Sequence, residues 1–203
     1  AELLENGMVK QEDVPRFVGH IRKEAQRLVT LIGDIIRLSQ LDEGDEMPRE
    51  TVDLLTLSQE AADDLKTAAA EKHIAIAVEG GSETIGGVRR LLYEVIYNLC
   101  DNAIKYNRPN GRIDTYTKEL SYENGTVWYE FTISDTGVGM SEAFQQRAFE
   151  PFAQEDASAR SSYTGTGLGL AIVKHIALLH HARIDLQSQV GSGTTIKVTF
   201  PKA

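Results

Sequence analysis

Asn98-Leu99-Cys100-Asp101-Asn102-Ala103-Ile104-Lys105-Tyr106 reads as the second half of a helix, predicted over Arg89–Tyr106, with two chemically different faces. Leu91, Leu92, Val95, Ile96, Leu99 and Ala103 recur at helical spacing and supply an apolar stripe. Asn98, Asn102 and Lys105 stand at i, i+4 and i+7 and line up on another face. Asn is a poor helix former, so two of them at this spacing lower helix propensity without structural return. Two amides and an ammonium in a row suit a hydrated Mg²⁺ with a phosphate chain beside it, because Mg²⁺ keeps several waters and takes few protein oxygens. Taken alone, the same row also fits a solvated helix face.

Downstream, Ile113–Tyr122 and Thr126–Asp135 flank Glu123-Asn124-Gly125 and predict a hairpin, with Val127, Tyr129, Phe131 and Ile133 on one face. Its second strand runs into Asp135-Thr136-Gly137-Val138-Gly139-Met140. A carboxylate at a strand end can accept from a base's exocyclic amine while the glycines beyond it let the backbone pass close to the ring. An ordinary surface turn reads the same way. Thr164-Gly165-Thr166-Gly167-Leu168-Gly169-Leu170 opens a helix predicted over Leu168–His180, and glycines ahead of a helix offer N–H groups and the helix dipole to an anion. This loop does not follow a strand, as a dinucleotide-binding fingerprint requires. The long polar connection Ser141–Tyr163, carrying Phe149-Glu150-Pro151-Phe152, reads as a lid over a ligand.

Upstream, apolar residues recur at helical spacing from Asp13 to about Leu41, and Ile21, Leu28 and Ile35 repeat every seven residues, the seam of a helix that packs on other long helices. Ala1–Glu5 followed by Asn6-Gly7 reads as the last turn of a preceding helix and its cap. The stretch from Asp42 to Glu50 breaks the helix and reads as a linker. Beyond it come a short strand at Thr51–Leu54, an amphipathic helix at Leu57–Lys72, a half-buried strand at His73–Val78, and a closing strand pair, Ala182–Gln189 with Thr194–Phe200. The expected fold class is α+β: three helices on a largely antiparallel sheet, a two-layer α/β sandwich over residues 46–203, preceded by a helical hairpin remnant over residues 1–45.

Bulk composition narrows the function classes. The chain has 203 residues, 41% of them hydrophobic, with a net charge of -9 from 30 acidic and 21 basic residues. No basic stripe exists, which argues against nucleic acid as a partner. The single cysteine, Cys100, excludes an internal disulfide and lies in an apolar helical run, where a small buried residue is expected rather than a nucleophile. No run of 18 or more apolar residues occurs, so no transmembrane helix is expected. The chain opens on Ala1 without a leader pattern and reads as cut from a longer protein.

In order and spacing these segments resemble the GHKL ATPase superfamily with its Bergerat ATP-binding fold, and within it the sensor histidine kinases of two-component systems. Asn98–Tyr106 is similar to that family's N box, Asp135–Met140 to its G1 box, Phe149–Phe152 to its F box and Gly165–Leu170 to its G2 box. The resemblance implies that ATP and Mg²⁺ bind here. It implies Asn102, helped by Asn98, as metal ligand, and Lys105 and Tyr106 at the phosphates and ribose. It implies Asp135 as acceptor for the adenine amine, with Gly137, Gly139 and Thr194 shaping the base pocket and Phe152 beside it. Gly165, Gly167, Leu168 and Gly169 would border the phosphates, and Arg160 in the lid would reach the γ-phosphate. It further implies a response regulator receiver domain as partner, homodimerisation through the hairpin, and a cytoplasmic domain of a membrane-anchored protein. The sequence departs from the family in two places. His180-His181-Ala182 stands where His-Gly-Gly is usual, and no histidine is followed by the acid of the phosphoacceptor box. Water-activating relatives carry Glu where this chain has Asn98, and an amide cannot act as a general base. Phosphotransfer is therefore expected over ATP hydrolysis, with a nucleotide-binding scaffold that transfers no phosphate as the alternative that the sequence leaves open.

Overall fold

The structure, a computed structural model, describes residue 6 and residues 10–42, 47–122, 125–155 and 166–202. The expected helix end at Ala1–Glu5 lies outside them. Helix α1 (Val14–Asp42) covers the seven-residue repeat. Ile21, Leu28 and Ile35 are exposed along it, while Leu31 turns in against the core of the remaining chain.

After α1 the elements run β1 (Glu50–Asp53), α2 (Leu54–Asp64), α3 (Lys66–Glu71), β2 (Ala75–Gly80), β3 (Thr84–Gly87), α4 (Arg89–Lys105), β4 (Arg112–Ser121), β5 (Val127–Asp135), α5 (Glu142–Gln145), α6 (Gly169–Leu179), β6 (Arg183–Gln189) and β7 (Gly193–Pro201). The main sheet has the order β2-β4-β5-β7-β6, and a two-stranded sheet pairs β1 with β3. The expected hairpin is β4–β5, antiparallel from Ser121↔Val127 to Ile113↔Asp135. Alternate residues of the strands, among them Ile113, Phe131, Ile133, Ile196 and Val198, are buried against the apolar stripe of α4. Each such side chain contributes about 1.5–3 kcal/mol when fully withdrawn from water. The result is the expected two-layer α/β arrangement.

Three features differ from the sequence reading. The strand expected to reach Leu54 stops at Asp53, whose carboxylate accepts from the Leu55 N–H at 2.9 Å and starts α2 there. The single helix expected over Leu57–Lys72 breaks at Leu65 into α2 and α3. Strand β3 was not expected, because Gly86 and Gly87 supply no side-chain alternation to read. In addition, β2 pairs with β4 in parallel, so the sheet is antiparallel except at that edge.

The His180-His181 departure resolves into two structural roles. His180 is buried, and its Nε2 accepts from the Val88 N–H at 3.1 Å, so Nδ1 carries the proton and donates to the Ile176 carbonyl at 2.9 Å. Burial lowers the pKa of this ring, in keeping with a neutral imidazole that ties the end of α6 to the start of α4. Its folded value is depressed, so its contribution is present above the ordinary histidine pKa and is lost as pH falls through the folded value. His181 adopts φ 53, a left-handed conformation that costs a non-glycine residue about 1–2 kcal/mol. His181→Gly is therefore expected to stabilise the chain by up to about 1 kcal/mol after the added flexibility of the unfolded state is counted. Urea unfolding should show a higher midpoint at unchanged slope.

Candidate functional site

The C-terminal half of α4 seats both ends of the site. A Cβ on Gly169 would lie 3.5 Å from Asn98 Oδ1 and 3.6 Å from Asn102 Nδ2, so the first residue of α6 rests against both amides. Lys105 Nζ pairs with Asp101 Oδ2 at 2.5 Å on its own helix. The end of α4 is held by Lys72, whose Nζ donates to the carbonyls of Ile104 at 2.8 Å and Lys105 at 2.7 Å. An ammonium there satisfies terminal carbonyls and complements the helix dipole. Burial lowers the pKa of Lys72, with Asp101 acting in the opposite direction.

At the other end of the site the core face of the sheet turns from apolar to polar. Ile133, Ile196 and Leu186 lie side by side across β5, β7 and β6. Two residues further on, Asp135, Thr194 and Ser188 lie side by side in the same way, and the two-residue period puts them on the same face. Asp135 Oδ1 accepts from the Gly137 N–H at 2.7 Å. Burial raises the pKa of this carboxyl, opposed by backbone N–H bonds from Gly137 and Thr194. The loop after Asp135 lies flat on the end of α4: Val138 N–H donates to the Tyr106 carbonyl at 3.0 Å, and a Cβ on Gly137 would stand 2.5 Å from that oxygen. Gly139 has φ 68, and a Cβ there would fall 1.9 Å from the Gln189 carbonyl. Only glycine fits such an approach.

Three residues that the sequence reading passed over hold these loops together. Arg108 Nη2 donates to the Gly137 carbonyl at 3.1 Å and also to the Gly191 carbonyl, pinning the loop to the β6–β7 turn. Asn107 is buried; its Oδ1 accepts from Arg108 N–H at 3.0 Å and Thr136 Oγ1 at 3.3 Å, and its Nδ2 donates to the Arg112 carbonyl at 3.2 Å. Ser188 Oγ accepts from the Met140 N–H at 2.8 Å. Their polarity was visible, but their partners are far along the chain.

Along the third border, Phe152 N–H donates to the Gly167 carbonyl at 3.0 Å, and the Phe152 ring is exposed. Leu168 is fully buried, a core residue that anchors the start of α6. No described side chain caps α6, which leaves its leading N–H groups and dipole beside Asn98 and Asn102 for an anion. Thr166 Oγ1, just ahead of α6, donates to Asp34 Oδ2 of α1 at 2.9 Å. Arg160 and Gly165 lie outside the described residues. Among the described residues no three His, Cys, Asp or Glu side chains form a metal-holding group. The described site thus offers acceptors at Asp135 and Thr194, and amides, one cation and an uncapped helix start at its far end.

A family model described as histidine kinase-, DNA gyrase B-, and HSP90-like ATPase matches residues 87–203. The sensor-like histidine kinase SenX3 of Mycolicibacterium smegmatis is 35% identical over 194 residues, covering 94% of this chain and 49% of the relative. The sensor protein kinase WalK of Staphylococcus haemolyticus is 31% identical over 204 residues, covering 98% of this chain and 33% of the relative. The chain therefore spans half or less of these curated relatives. Among solved structures, full-length ShkA in complex with AMPPNP superposes with a TM-score of 0.74 at 26% identity, over 99% of this chain and 42% of that one. The mycobacterial sensor histidine kinase MprB superposes with a TM-score of 0.65 at 25% identity, over 76% of this chain and 97% of that one.

Proposed function

This chain belongs to the family of histidine kinase-, DNA gyrase B- and HSP90-like ATPases, and we propose that it is the part of a sensor histidine kinase that holds Mg·ATP and hands its γ-phosphoryl group to a histidine. In that transfer the bond from the γ-phosphorus to the β,γ-bridging oxygen breaks, a phosphorus–nitrogen bond forms, and ADP leaves. Residues 1–45 would be the end of the dimerisation hairpin and residues 46–203 the catalytic domain.

In this reading Asp135 accepts from the adenine amine, with Thr194 beside it and Gly137 and Gly139 letting the loop backbone close on the ring. Lys105 and Tyr106 take the phosphates and ribose, and the start of α6, with Gly167, Leu168 and Gly169, lines the phosphate chain. Gly165, Phe152 and Arg160 would complete that border and the lid. Asn102 and Asn98 would hold the Mg²⁺ that arrives with the nucleotide. When bound, that ion neutralises phosphate charge. The family's phosphoryl transfer relies on positioning and charge neutralisation, which suits a site of amides, a cation and a helix start. The absence of a carboxylate at position 98 disfavours a hydrolase. The observation that carries the reading is that one rigid helix, α4, touches both the Asp135 loop at Tyr106 and the start of α6 at Asn98 and Asn102.

The exposed Ile21, Leu28 and Ile35 of α1 support a homodimer through this helix, and the kinase relatives support a response regulator as the next phosphate acceptor. No described helix is long and apolar enough to cross a membrane, so anchoring would come from other parts of the full-length protein.

Asn102→Ala tests the metal role. It should weaken Mg·ATP binding about tenfold more than it weakens binding of ATP in EDTA, about 1.4 kcal/mol of ion-specific loss. Equal losses by calorimetry with and without Mg²⁺ would remove Asn102 from the ion.

A further inference from the structure

Beyond tying down Met140, Ser188 has no part in the nucleotide roles assigned above, yet its hydroxyl sits at the meeting point of two strands and a loop. Its Oγ lies 2.8 Å from the Met140 N, 2.9 Å from the Gly193 carbonyl oxygen and 2.8 Å from Thr194 Oγ1. A serine hydroxyl has one proton to give and two lone pairs with which to accept. The Met140 N–H can only donate, so it occupies one lone pair. The Gly193 carbonyl can only accept, so it must receive the proton, or two lone pairs would face each other at 2.9 Å. The remaining lone pair then requires Thr194 to be the donor in its bond with Ser188. One assignment satisfies every neighbour.

The consequence falls on Thr194, which stands directly between Ser188 and Asp135 across β7. With its proton committed to Ser188, Thr194 Oγ1 has only lone pairs left for a ligand. Asp135, when ionised, is likewise an acceptor only. The base end of the site is then a pair of acceptors. It matches an exocyclic amine and opposes a carbonyl at the same position. Adenine carries the amine there and guanine the carbonyl.

We propose that Ser188 is a specificity-determining positioning residue: by taking the Thr194 hydroxyl proton it keeps the base pocket acceptor-only and so selects adenine over guanine nucleotides. This rests on the reading of Asp135 as the adenine acceptor. Gln145 Nε2 donates to the Ser188 carbonyl at 2.9 Å and to the Met140 carbonyl at 3.2 Å, which holds the backbone on both sides of the Ser188–Met140 bond. The hydroxyl can therefore be removed while the strand stays in register.

The test measures dissociation constants for Mg·ATP and Mg·GTP by calorimetry on the native chain and on Ser188→Ala, Ser188→Thr, Thr194→Val and Ser188→Ala/Thr194→Val. In Ser188→Ala the Thr194 hydroxyl is free to turn and donate to a carbonyl. The GTP-to-ATP ratio of dissociation constants should fall about tenfold, the scale of one mispaired polar contact. Ser188→Thr keeps the hydroxyl and should restore the native ratio. Adding Ser188→Ala to Thr194→Val should leave the ratio of the single variant unchanged, because the hydroxyl that Ser188 orients is gone. If Ser188→Ala weakens ATP and GTP by the same factor, Ser188 acts only as packing and the proposal is overturned. If Ser188→Ala does not fold, a native ratio in Thr194→Val or a lowered ratio in Ser188→Thr overturns the proposal, and a lowered ratio in Thr194→Val beside a native ratio in Ser188→Thr supports it. Asp135→Asn separates the two levels: should it leave ATP affinity unchanged, the adenine reading itself fails, whatever Ser188 does.

Discussion

Asp135→Asn is expected to weaken ATP binding by about 30–150-fold, equivalent to about 2–3 kcal/mol. The size follows from hydrogen-bond accounting. The carboxylate already accepts from the N–H groups of Gly137 and Thr194, so in the proposed reading its remaining lone pairs would serve the base. An asparagine has one oxygen and one NH₂ group in its place. Turned one way, the NH₂ meets the adenine amine; turned the other, it meets the backbone donors. Either orientation sets donor against donor. The free chain should not suffer in the same way. Burial raises the pKa of Asp135, so its contribution to stability is present below the ordinary carboxylate pKa and is lost as pH rises through the raised folded value. At neutral pH the substitution removes that cost, and the unliganded melting temperature should hold or rise. Bound amine stabilises the ionised form, so native ATP affinity should also decline as pH drops through the raised value. Calorimetric titration across pH reads both effects. An affinity within threefold of native would take Asp135 out of the adenine role.

The second large effect is a complete loss rather than a shift. Incubated with Mg²⁺ and γ-labelled ATP, the 203-residue chain is expected to bind nucleotide and form no acid-labile, base-stable label. Its histidines are His20, His73, His175, His180 and His181, and none precedes an acid that could orient the ring toward a phosphate. Both ring nitrogens of His180 are engaged with backbone groups, and His73 and His181 sit in left-handed turns. Adding a separate helical hairpin whose histidine is followed by an acid should place label on that fragment, weakly, since the bundle must assemble from pieces. Stoichiometric label on the chain alone would overturn this expectation and point to His20, exposed on α1.

The elements of the site that the sequence made legible are those whose signal is periodic or local. The two faces of α4 could be read from spacing, and its apolar stripe is buried as expected, Cys100 included, whose thiol burial pushes up to about 12. The β4–β5 hairpin was legible because one turn and one alternation specify it. The parallel β2–β4 pairing was not, since partners across a crossover leave no mark on either strand. The same holds for Lys72, Arg108 and Ser188. Each acts through a bond to backbone carbonyls or N–H groups that any residue could supply. A side-chain pattern can announce a helix face; it cannot announce which distant carbonyl a cation will find.

Because α4 touches both the Asp135 loop and the start of α6, in the proposed reading it would also measure the ligand. Asn98 and Tyr106 are separated by about 12 Å of helix at the usual rise per residue, and neither end can move without the other. A single inserted residue between them would lengthen that gauge by about 1.5 Å and swing Asn98 about 100° away from the start of α6. Substitutions along the helix alter affinity by degrees, whereas a change of its length breaks the calibration outright. The inheritance of this site is thus a matter of spacing first and of side chains second.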